Sequence, residues 1–183
     1  MYKLLKVFCI SVLFISCSSD DDASSTQNDP TAINLVTGIN ARQDNLSSAL
    51  KLGNPNVRMP LNISSTSIIA FPNPVVNFLS IEIFQTNEII TDVWLVRAEA
   101  NKIFENTDFN EVFDANTYTV NQVSQASIQS FNDLSNTNIL LNLEGLETGY
   151  FRVFIKTDQN LYWDNIYLDI SGVDINELFD FWD

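Results

Sequence analysis

From Ser67 onward apolar and polar residues alternate in short runs: Ser67 to Phe71, Phe78 to Phe84, Asp92 to Val96, Tyr118 to Val123, Ile139 to Leu143, Tyr150 to Lys156 and Leu161 to Ile170. These runs are rich in Ile, Val, Phe, Tyr and Thr and are separated by Asn, Asp, Gly and Pro, which predicts an antiparallel all-β domain of about seven strands. In Phe78 to Phe84, Leu79, Ile81 and Ile83 share one face while Ser80 and Glu82 share the other, the mark of a half-buried strand. The clearest hairpin runs from Tyr150 to Lys156, turns through Thr157-Asp158-Gln159-Asn160 and returns over Leu161 to Ile170. Phe151, Val153 and Ile155 lie on one face of its first strand, with Arg152 and Lys156 on the other; Ile166, Leu168 and Ile170 align in the second. Residues 31–68, interrupted by Gly38, Gly53, Pro55 and Pro60, read as an irregular or short-stranded lead-in, and Ser124 to Asn136 as a loop or short helix. In the acidic extension 171–183, Ile175, Leu178, Phe179 and Trp182 recur at helical spacing and Asp174 precedes Glu177 by three. This predicts a short amphipathic C-terminal helix.

The first residues follow a different rule. Lys3 and Lys6 precede an apolar run, Val7 to Ile15, broken only by Ser11, which is the pattern of a signal peptide over residues 1–16. Even counted from Leu4 the run is twelve residues, against the roughly 20 that a membrane-spanning helix needs. It ends in Leu13-Phe14-Ile15-Ser16-Cys17, which resembles the bacterial lipobox, with Phe14 where an aliphatic residue is usual. The resemblance implies that Cys17 is diacylated and becomes the mature N-terminus, attached stably because more than one chain is added. Residues 17–30 form an acidic and polar tether. Its Asp20, Asp21 and Asp22 resemble the acidic signal that follows the lipidated cysteine in outer-membrane surface lipoproteins of the Bacteroidota; the alternative reading is a plain spacer.

Ala70-Phe71-Pro72-Asn73-Pro74-Val75-Val76-Asn77-Phe78-Leu79-Ser80-Ile81 resembles the opening of the C-terminal sorting domain (type A) of the type IX secretion system, an aromatic, Pro-Asn-Pro, then a strand. Pro72 and Pro74 fix φ and hold an extended turn, and Asn73 can bond its own backbone. Leu143-Glu144-Gly145-Leu146-Glu147-Thr148-Gly149-Tyr150-Phe151-Arg152-Val153 is similar to that family's late motif, a turn ending in glycine (Gly149) before an aromatic strand (Tyr150). Val93-Trp94-Leu95-Val96 falls where its central strand would lie, and Ala100-Asn101-Lys102 replaces the glycine of the following turn, with Asn able to adopt a left-handed conformation. The resemblance covers residues 69–170 and implies an immunoglobulin-like antiparallel β-sandwich. The region from Phe104 to Ile139 is longer than that family's usual loop, and no large cargo is expected ahead of the domain.

Composition narrows the chemistry. The 183 residues carry 9 Lys plus Arg against 23 Asp plus Glu, a net charge of −14. Loss of Lys3 and Lys6 with the signal leaves 7 against 23, or −16. Binding to nucleic acid through phosphate neutralisation is therefore not expected. There is no histidine, and the two cysteines both lie within the first 17 residues. Ser-His and Cys-His triads, disulfide frameworks and cysteine metal sites are absent from the mature chain, and neither enzyme activity nor a cofactor is expected. Asp108, Glu111 and Asp114 form a weak candidate calcium cluster. Trp94 and Trp163 are candidates for a glycan-stacking pair if both are exposed on one face. The chain thus reads as a non-enzymatic lipid-anchored protein of the outer membrane, exposed at the cell surface, with envelope or secretion-system proteins as partners. The alternatives are a glycan-binding accessory lipoprotein and a substrate recognised by the type IX machinery.

Overall fold

A computed structural model describes residues 29–59, 67–172 and 175–183. Among the described residues, strands hold 43% and helices 13%, which places the chain in the all-β class. In chain order the elements are β1 (Leu35–Val36), β2 (Gly38–Ala41), β3 (Leu50–Gly53), β4 (Ser67–Phe71), β5 (Phe78–Phe84), β6 (Ile90–Ala100), α1 (Phe109–Val112), α2 (Val120–Ala126), β7 (Gln129–Phe131), β8 (Asn138–Asn142), β9 (Gly149–Thr157), β10 (Leu161–Leu168) and α3 (Ile175–Trp182). Among the described residues the strands number ten where about seven are expected, because short pairings join the principal ones.

A three-stranded sheet ordered β4-β5-β8 packs on a larger sheet ordered β1-β6-β9-β10, in which β7 also pairs with β6. Among the described residues the strand-to-strand pairings are antiparallel except that of β1 with β6, and the isolated bridge of Val75 to Leu168 is parallel as well. The period-two alternation accounts for the sandwich core. Leu79, Ile81 and Ile83 of β5 and Ile139 and Leu141 of β8 meet Val93 and Leu95 of β6, Phe151, Val153 and Ile155 of β9, and Ile166 and Leu168 of β10. Each such fully buried side chain contributes roughly 1.5–3 kcal/mol relative to exposure.

The second face of the larger sheet is covered as well. Trp94, Val96, Phe154, Leu161 and Trp163 pack under Phe109 and Phe113 of the α1 segment, Tyr118 and Val123. The β2–β3 hairpin and α3 close the far end, where Val36, Ile39 and Leu52 meet Ala98, Leu178 and Trp182. The lead-in segment 31–68 thus supplies three short strands and part of the core.

Two local expectations change. Tyr118 to Val123, read as a strand from its alternation, instead runs into α2: the Thr119 side chain accepts from the Gln122 backbone N–H, and the Gln122 side chain accepts from the Thr119 backbone N–H. A complete capping box satisfies otherwise orphaned helix donors and outweighs a short alternation. After β6 the left-handed residue is Phe104, with φ of 62°, rather than Asn101. The C-terminal helix forms as expected, with Leu178 and Trp182 buried. Its candidate capping residue Asp174 lies outside the described residues.

Candidate functional site

Cys17 and the run Asp20, Asp21, Asp22 lie outside the described residues, as do residues 1–16. The chain enters the described body at Asp29, whose carboxylate accepts from the Thr31 N–H and hydroxyl. Thr31 C=O then accepts from the Tyr118 hydroxyl at 2.9 Å, and Ala32 C=O from Arg152 Nη1 at 3.2 Å. Entry is therefore on the second face of the larger sheet, across the sandwich from β4-β5-β8. Among the described residues no helix is long and apolar enough to cross a membrane.

The two motif segments converge on the C-terminal half of β10. Asn73 is buried, and its amide does not bond its own backbone as the sequence suggests. Its Nδ2 donates to Asn40 C=O at 3.0 Å and Asn165 C=O at 2.9 Å, and its Oδ1 accepts from the Tyr167 N–H at 3.0 Å. Its backbone N–H and C=O both bond Arg42 at 2.7 Å. Pro72 and Pro74 flank this clamp, and Val75 bridges to Leu168. Gly149 opens β9 opposite Leu168, and Tyr150 lies opposite Tyr167 with ring centroids 4.9 Å apart. Trp182 packs edge-on against Tyr150. Burial pushes the Tyr150 phenol up to about 12, so it stays neutral.

The stacking platform expected of Trp94 and Trp163 does not exist. Their exposures are 4% and 1%, and Trp163 is wedged edge-on against Phe113 and Tyr118. The larger sheet is covered on both faces, so tryptophans on its outward side are core residues. Asp108, Glu111 and Asp114 likewise form no cation site. Asp108 caps α1 by accepting from the Asn110 backbone N–H and side chain, and Asp114 accepts from the Asn116 N–H and Thr117 hydroxyl. Among the described residues no group of three or more acidic or cysteine side chains could hold a metal ion.

Sequence reasoning missed the polar system beneath the second face. Arg152, expected on the side of its strand away from the core, is fully buried. Its Nε donates to Asn165 Oδ1 at 3.2 Å, Nη1 to the Tyr118 hydroxyl at 2.7 Å and Ala32 C=O, and Nη2 to Asn56 C=O. The rings of Phe113, Tyr118 and Phe154 surround its guanidinium at 5.4–5.9 Å. Neutral oxygens and ring faces stand where a carboxylate would be usual, and burial lowers the guanidinium's proton affinity. Asn165 also donates to Asn56 Oδ1 and Gly38 C=O, tying the lead-in to β10. Asp164 beside it is buried too, and desolvation pushes its carboxyl up to about 6. The signal was available: Leu161, Tyr162 and Trp163 are successive large residues, which mark a strand buried on both faces.

Two open surfaces among the described residues matter most here. One is a cleft of about 720 Å³ between the lead-in and the loop before α1, where Lys51 and Arg58 face Glu105 and Asp108. Arg58 lies over the Tyr162 and Trp163 rings and donates to Leu161 C=O, so it is engaged within the fold. The other is the outer face of β4-β5-β8. Phe78 and Leu140 are 45% and 66% exposed there, and Glu82, opposite Asn138 and on the far side of Ser80 from Phe78, accepts from Asn45 and Asn138. Comparison with protein-family models, with characterised proteins and with solved structures finds no match for this chain.

Proposed function

We propose that the chain is a non-enzymatic protein held by lipid at Cys17 in the outer membrane, displayed at the cell surface, and acting there as an interaction or scaffold module for other envelope proteins. The observation that carries this reading is the open outer face of β4-β5-β8, with Phe78 and Leu140 exposed on it, which lies across the sandwich from the point of entry at Asp29. The residues between Cys17 and Asp29 reach at most about 40 Å, so an anchored domain stays close to the bilayer with this face turned away. The acidic tether favours stand-off from an anionic surface. Growth with labelled palmitate tests the anchor. The wild-type chain should take up label and sediment with membranes, Cys17→Ala should do neither, and label retained by Cys17→Ala would sink the proposal. Combined Asp20→Ala, Asp21→Ala and Asp22→Ala should keep the label while losing surface display.

The convergence of Asn73 with Gly149 and Tyr150 at β10 favours a second reading, a substrate recognised by the type IX machinery. Deleting Leu161 to Asp183 is a poor test, since it removes β10 and with it much of the core. Disabling the secretion machinery is cleaner: intracellular retention of the wild-type chain supports this reading, and unchanged display overturns it.

A further inference from the structure

We propose that β8 accepts an extended basic peptide as a fourth strand of the three-stranded sheet. This rests on the reading of the chain as an interaction module, but not on its lipid anchor. The register locates the open groups. Ile83 N–H donates to Thr137 C=O and Leu143 N–H to Asn77 C=O, each at 2.8 Å. With Leu79 opposite Leu141 and Ile81 opposite Ile139, the odd-numbered residues of β8 turn their backbone groups toward β5. Those of Asn138, Leu140 and Asn142 turn outward. Asn142 C=O accepts from Gln129 Nε2 at 3.4 Å. The N–H and C=O of Asn138 and of Leu140 meet no partner among the described residues.

The edges of the larger sheet are blocked in comparison. β1 and β7 both pair along β6, while bridges from Arg58 to Trp163 and from Val75 to Leu168 cap β10. Proteins usually protect an open edge with lysine, proline or a bulge. β8 has no such device, and its central outward side chain, Leu140, is largely exposed and lies across from the small Ser80.

Charge selects the occupant. None of the Lys or Arg residues falls in β4, β5 or β8, and none occurs from Ile103 through Phe151. Asp133 and Glu144 flank β8 in the chain and Glu82 faces outward beside it. A strand with an apolar residue over Leu140 and cations toward its ends would satisfy both the backbone groups and the acidic surround. A second copy paired edge to edge would bring the same carboxylates together, which disfavours self-association.

The probe is acetyl-Lys-Thr-Val-Thr-Lys-amide added to the full chain in nonionic micelles, with the Lys residues replaced by Glu as control. The measurement is amide hydrogen exchange at Asn138 and Leu140. The basic peptide should slow exchange at both amides by about tenfold or more, with the effect fading as salt rises, while the acidic peptide leaves them unchanged. Leu140→Lys, an exposed change that leaves the core intact, should abolish the protection, and Leu140→Thr should keep it. No protection by the basic peptide, equal protection by the acidic one, or protection surviving Leu140→Lys would each overturn the proposal. So would protection that appears without peptide as protein concentration rises, which would make the occupant a second copy. Failure here leaves palmitate labelling of Cys17 untouched, so the two proposals fail separately.

Discussion

Asp164→Asn should stabilise the protein, and by an amount that depends on pH. Asp164 is buried on β10, where its Oδ1 accepts from the Asn165 N–H at 2.8 Å. Burial raises its carboxyl from 3.8 to about 6, only partly offset by that N–H, the Arg42 guanidinium and the Asn40 side chain. A folded-state value above the unfolded one means that the folded state holds the proton more tightly. The contribution to stability is therefore full below about pH 4, is lost as pH rises toward 6, and is constant above. At about 1.4 kcal/mol per pH unit, the ionised carboxylate costs the folded state about 3 kcal/mol at neutral pH. Asparagine keeps the acceptor for the Asn165 N–H and does not titrate. Asp164→Asn should thus be about 3 kcal/mol more stable than wild type at pH 7.5, the gain vanishing by pH 3.5. Urea unfolding of both proteins from pH 3.5 to 8 measures this directly, because every other titrating group is shared and cancels in the difference. A difference that stays flat with pH, or a wild type more stable at pH 7.5, would refute the reasoning.

Four further substitutions probe the framework. Asn73→Ala should cost about 2–4 kcal/mol in thermal unfolding, since it strands the buried carbonyls of Asn40 and Asn165 and the Tyr167 N–H; a loss under about 1 kcal/mol would contradict the clamp. Gly53→Ala would place a Cβ 2.5 Å from Trp182 Cε3 at a backbone φ of +65°. It should cost roughly 2 kcal/mol and displace α3, visible as a red-shifted tryptophan emission and faster C-terminal proteolysis. Arg152→Ala should cost about 3–5 kcal/mol by leaving buried oxygens without their donor. Arg97→Ala, whose ion pair with Glu147 is solvent-exposed, should cost under about 1 kcal/mol, and parity between the two in chemical denaturation would be the contrary result.

The sandwich was legible because its core strands alternate cleanly: Leu79-Ile81-Ile83 and Phe151-Val153-Ile155 point inward as their spacing requires. The helix at Ile175–Trp182 was legible from the same kind of periodicity. The second layer was not, because it depends on what covers the outward side of β6, β9 and β10. Trp94, Trp163 and Arg152 look like surface residues until the lead-in and α1 close over them. Tyr118 to Val123 misled because six residues of alternation are weaker evidence than the Thr119–Gln122 capping pair. Of the candidate site, Pro72, Asn73 and Pro74 were visible as a motif, but the long-range partners of Asn73 depend on β2 and β10 folding beside it. Leu140 could have been found: Ile139, Leu140 and Leu141 are consecutive apolar residues in a short strand, so one of them must face outward.

Protease treatment of intact cells tests the central claim most directly. Wild-type protein should be degraded by added protease while a periplasmic marker survives, and Cys17→Ala should be absent from the protease-sensitive surface fraction. Full protection of the wild-type chain until the outer membrane is broken would contradict surface display.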